Sequence, residues 1–183
     1  MPPLFRAALI VFLRRNVELK KNNVIALVVH ICICLTLSIV YSQLNYMDFR
    51  GIPYERFTVN IFLFLMIAVL YILSGYFIIT KFSKLNLTGV KKILSVSSVG
   101  FIGLFIWLCT MIYITFSNES WAELHWIWFH GYNYSIMPLV NALKSIIGFI
   151  DYRWLVIISF VPTILMWIGY EIKNDKGTKK LSN

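Results

Sequence analysis

The stretch "IMPLVNALKSIIGFI", residues 136–150, decides how many times this chain crosses a membrane. Read as a fifth span, it would bury Asn141 and Lys144, and a lysine at a bilayer centre costs ~2.5–3.5 kcal/mol on insertion scales. It would also send Lys173, Lys176, Lys179 and Lys180 out on the far side. Its apolar residues at 136, 139, 140, 143, 146, 147 and 150 follow helical spacing, while Asn141, Lys144 and Ser145 cluster elsewhere. The pattern predicts an amphipathic helix that lies on the outer face, or dips into it, just before the last span.

Outward from that segment, four long apolar runs remain: Val24–Ser42, Ile61–Thr80, Ile93–Phe116 and Trp154–Tyr170. None holds Asp, Glu, Lys or Arg. Each is close to the ~20 residues that cross ~30 Å of hydrocarbon. The 183-residue chain is 59% hydrophobic and only 14% charged, far from the roughly one-quarter charged content of a soluble domain. Lipid demands that each segment pair its own backbone groups, so the runs are expected as helices. The fold class expected is therefore an all-α, single-domain membrane protein with four transmembrane helices.

The net charge of +9 invites a nucleic-acid reading, but its distribution points to threading instead. Arg6, Arg14, Arg15, Lys20 and Lys21 precede the first span. Lys81, Lys84, Lys91 and Lys92 lie between the second and third, and four lysines occupy the tail. Only Arg50, Arg56, Lys144 and Arg153 fall on the other side. This bias places both termini in the cytoplasm. It makes Arg14, Arg15, Lys84, Lys91 and Lys92 a candidate face for a cytosolic protein partner, with no direct nucleic-acid contact expected.

Ahead of the first span, "PPLFRAALIVFLRR" opens with two prolines and is too short to cross. It is expected as a separate interfacial helix. Ser97, Gly100 and Gly103 recur every third residue in the third span, a strip that lets backbones approach within the subunit or between subunits of a homo-oligomer. Pro162 is expected to kink the fourth span, with Ser159 and Thr163 satisfying freed backbone groups.

Most of the candidate chemistry lies in "SNESWAELHWIWFHGYNYS", residues 117–135. Trp121, Trp126, Trp128, Phe129, Tyr132 and Tyr134 resemble an interfacial aromatic belt. With Glu123, His125 and His130 they form a candidate outer docking segment. Glu119 and Glu123 beside the histidines imitate a zinc site, but the HxxxxH spacing does not put both rings on one helix face. Within the spans, His30, Thr36 and Ser38 are the candidate polar contacts. His30 is expected as a neutral ring bonded to a neighbouring helix. A haem would need a second axial ligand at its depth, and His125 and His130 are expected outside. Cys32, Cys34 and Cys109 all fall inside spans, so no disulfide framework is indicated. No phosphate-binding loop, GxSxG, HExxH or intramembrane acid pair is present. No cofactor is expected.

Three functions compete. A non-enzymatic membrane subunit would use the aromatic outer segment and the basic inner face. A small oligomeric channel or transporter component would route substrate past His30 and Thr36. A membrane enzyme would rely on Glu119, Glu123 and His125. The first needs no intramembrane charge, and it leads. In layout alone (four spans, both termini inside, a large outer loop, a short chain rich in Lys, Asn and Ile) the protein resembles the membrane subunit of bacterial anti-phage defence systems such as Kiwa. It also resembles immunity proteins that guard against pore-forming colicins. The resemblance implies self-defence at the inner membrane, homo-oligomers and a soluble partner.

Overall fold

The computed structural model describes residues 3–46, 53–79, 90–116 and 126–179. Among these every regular element is helical, and four helices are long and apolar enough to cross a membrane: Leu19–Val40, Phe57–Phe77, Ser98–Phe116 and Leu155–Lys173. The protein is a multi-pass, all-α membrane protein.

Helix α1 runs unbroken over Pro3–Tyr46, 44 residues or about 66 Å. The separate N-terminal helix expected from the sequence is instead the first part of this rod. No glycine or proline interrupts the chain between Pro3 and Tyr46, so nothing breaks the hydrogen-bond ladder where the charged "RRNVELKK" segment meets the span. Helix α2 (Pro53–Leu73) continues into a π-helical turn at Ser74–Ile79. The Ser74 hydroxyl bonds back to the Leu70 carbonyl 2.7 Å away at the start of that wide turn.

The third apolar run divides in two, α3 (Val90–Leu94) and α4 (Ser98–Phe116). Its break falls on "SVS", residues 95–97. Ser95 Oγ donates to Lys92 O at 2.7 Å and Ser97 Oγ to Leu94 O at 3.1 Å. Such back-bonding competes with the helical ladder. The freed N-terminus of α4 is capped from outside: Ser98 N donates to Asn23 Oδ1 on α1, and Gly100 N to Thr163 Oγ1.

The last span divides at Ser159–Phe160, between α7 (Leu155–Ile158) and α8 (Val161–Lys179). Pro162 sits in the first turn of α8, where its missing N–H removes no needed bond. The helix is interrupted just before Pro162, but the repair differs from expectation. Thr163 bonds across to α4 and lies 3.4 Å from Val96 O, while Ser159 Oγ is buried with no partner among the described residues.

Helix packing rests on small residues. A Cβ on Gly75 would run into the Met166 carbonyl, and one on Gly169 into the Ile72 carbonyl. The α2 turn and α8 therefore cross backbone to backbone, as apolar surroundings require when van der Waals packing supplies the attraction. Asn23 beside Ser98, Lys92 paired with Glu171 at 2.6 Å and Lys173 over the Tyr76 ring gather at one end of the bundle. This is the basic end.

Candidate functional site: a hairpin inserted between the spans

Residues 136–147 do not rest on the surface of the bundle. Helix α5 (Trp126–Tyr132) enters the bundle, a 3-10 turn at Tyr134–Ile136 reverses it, and α6 (Met137–Ile147) returns. Of the two placements expected for residues 136–150, the structure takes the dip. Pro138, Val140 and Ala142 of α6 are buried in its packing against α2, whereas Ile146 and Ile147 at its end are exposed. Gly148, at φ 80°, ends the helix in a backbone conformation that favours glycine.

The hairpin's tip reaches half-way along the first span, Leu19–Val40. His30 stands about 10 Å beyond Asn23, at 1.5 Å per residue, in a span of 22 residues. Its Nε2 lies 2.8 Å from the Tyr132 carbonyl and its Nδ1 2.7 Å from Tyr71 Oη. Tyr71 Oη lies 2.7 Å from Ser135 Oγ. A carbonyl only accepts, so Nε2 carries the ring proton. Nδ1 of the neutral ring then accepts from Tyr71, and Tyr71 accepts from Ser135. Cys34 Sγ donates to the same Tyr132 carbonyl at 3.2 Å. The Tyr132 hydroxyl continues toward the basic end and donates to Val99 O at 2.8 Å. His30, Ser135 and Asn133 have no exposed surface, and Tyr71 has none either. A polar tip at this depth persists because its groups are paired. Asn133 keeps one loose end: its Nδ2 donates to Phe129 O, and its Oδ1 is buried without a partner among the described residues.

The aromatic belt expected from the sequence is split by this insertion. Trp126 and Phe129 are buried and meet edge to face, while Trp128 is 74% exposed. His130 stacks against Trp126 at 6.1 Å. Burial first, and the Lys144 ammonium second, hold its pKa below the ordinary value. Burial pushes the Tyr132 phenol above its usual range. Trp121, Glu123, His125 and Lys84 lie outside the described residues, as do the side chains of Arg14 and Arg15.

The other sequence candidates take structural places. Gly100 and Gly103 are buried within the chain. A Cβ on the first would stand 2.6 Å from the Phe160 ring, and on the second 2.7 Å from Ser159 Cβ. Ser97 bonds its own helix. Thr36 and Ser38 also bond back, to Cys32 O and Leu35 O, and do not join the His30 cluster. Lys91 is exposed; Lys92 is tied to Glu171. Among the described residues no three of His, Cys, Asp and Glu gather as a metal-ligand group.

His30 is legible in the sequence as an intramembrane polar contact, whereas its partners Tyr71, Tyr132 and Ser135 are not. The signal was "GYNYS", residues 131–135, where small and hydrogen-bonding residues interrupt a bulky aromatic run. No family model, curated protein or solved structure matches the chain.

Proposed function

We propose that the protein is a non-enzymatic subunit of the bacterial inner membrane that engages an external agent at its aromatic segment. The hairpin transmits that event to a soluble partner at the basic, cytoplasmic end. The observation that carries the reading is Tyr132. One residue of the inserted hairpin bonds α1 at mid-depth through its carbonyl and the start of α4 through its hydroxyl. Movement of the hairpin's exposed arm, where Trp128 projects, would therefore strain contacts near the exposed Lys91. The one buried histidine among the described residues is fully committed to hydrogen bonds, which favours a structural latch over acid–base work. Both termini inside, self-association into a homo-oligomer and a role in phage defence belong to the same proposal.

Plating of phage on cells carrying the gene with its neighbours tests this, with wild type, Tyr132→Phe and Trp128→Ala compared at equal membrane abundance. Protection by the wild type and its graded loss in both variants is the expected result. Protection only against a pore-forming colicin would select the immunity reading. Ion flux through the purified protein in liposomes, with no protection of either kind, would select a channel.

A further inference from the structure

A groove of about 860 Å³ opens sideways between α1 and α4, with α5 forming its third wall. Its sides include Leu35 and Phe105, both more than half exposed, so it is continuous with the apolar surfaces those spans turn outward. It starts beside His30 and Cys34 and runs along α1 to Ser38, about 12 Å at helical rise. Among the described residues, no charged side chain lines it.

Four of the polar side chains in its walls are already bonded within the protein. Ser38 Oγ donates to Leu35 O, Thr110 Oγ1 to Ile106 O and Cys34 Sγ to Tyr132 O, and both ring nitrogens of His30 are bonded. Water would find few partners there, and a water site needs two to four. An empty groove of this size forfeits the dispersion contacts of its lining atoms. The glycine on the hairpin wall adds a separate observation. A Cβ on Gly131 would meet nothing within 4 Å, so the chain leaves open space where nearly any other residue would project.

We propose that this groove is a binding site for one fatty-acyl chain of a bilayer phospholipid, which enters from the side and packs along α5. The chain is selected by shape and not by its head group, since the described walls offer no charge to a phosphate. Because α5 is a wall of the site, the occupant supports the inserted hairpin from the lipid side.

The test reconstitutes the full chain into bilayers of phosphatidylethanolamine and phosphatidylglycerol with a trace of phospholipid bearing a mid-chain diazirine. After illumination, adducts are mapped by peptide mass spectrometry. Labelling is expected to concentrate several-fold on Cys109, Ile127 and Trp128 over the equally lipid-exposed Phe62 and Val69 of α2. Gly131→Leu, whose Cβ would enter open space on the groove wall, should remove that excess and leave the α2 signal unchanged. Should Gly131→Leu fail to fold, as read by elution and thermal midpoint, Cys109→Phe on the opposite wall replaces it. Uniform labelling of all outward faces, or an excess that survives both substitutions, overturns the proposal. So does a groove free of adducts whose Cys109 instead cross-links to a second copy.

Discussion

His30 shows how a residue that is expensive in lipid is made affordable by three others. Its ring, the Tyr71 phenol, the Ser135 hydroxyl and the Tyr132 carbonyl satisfy one another without a charge. Interhelical hydrogen bonds in membranes average about 0.6 kcal/mol, because the separated helices also find partners. Tyr71→Phe should therefore cost about 1 kcal/mol of stability, and His30→Leu more, since it removes both ring bonds at once and leaves the Tyr132 carbonyl only the weak Cys34 thiol as a donor. Unfolding in mixed micelles checks the order of the two. His130 carries a different expectation. Its folded pKa lies below the unfolded value, so the unfolded chain binds the proton more readily. Its contribution is fully present above about pH 6.5 and declines as the pH falls through that value toward the folded pKa. Thermal midpoints measured across that window should fall less in His130→Gln than in the wild type. Equal slopes would show that the imidazole gains no proton on unfolding.

At the scale of elements, backbone crossings and the hairpin set different tolerances for the same residue type. Gly75 and Gly169 sit where α2's wide turn and α8 touch through carbonyls, and neither neighbour is a flexible side-chain end. Alanine at either position should cost about 1–3 kcal/mol, the usual range for overpacking, and lower the thermal midpoint of the purified protein. Gly131→Ala should leave it unchanged, because the added methyl enters open space. Gly100→Leu belongs with the first group. It drives into the Phe160 ring and displaces the Thr163 hydroxyl that caps α4, so it should loosen the α4–α8 contact inside one chain. Gel filtration that shows a smaller assembly with unchanged melting would return Gly100 to a contact between copies.

For the whole molecule, the basic end is the feature that threading must explain. Lys20, Lys21, Lys91 and Lys92 are brought together there by the Asn23–Ser98 and Lys92–Glu171 bonds. With that end in the cytoplasm, single cysteines at positions 48 and 125 should react with an impermeant maleimide in intact spheroplasts, and those at 86 and 178 only after permeabilisation. Reaction at 178 in intact cells would reverse the threading.

What the sequence determined by itself was the number of spans and their approximate ends. Uninterrupted apolar length and the position of lysines are one-dimensional quantities, and lipid reads them directly. The exclusion of a fifth span followed from Lys144 and from the tail lysines it would export, and the helical spacing of residues 136–150 was equally plain. What only the tertiary structure decided was which of those helices touch, and that the aromatic stretch folds inward. An amphipathic helix with an apolar face of the same width can rest on a head-group layer or be enclosed by other helices, since both environments accept that face. The choice turned on whether the polar residues at the tip could be paired. That required Tyr71, sixty-four positions away from Ser135, and His30, more than a hundred from Tyr132, to arrive at the same depth. Spacing along the chain carries no record of such a meeting; only the register of packed helices does.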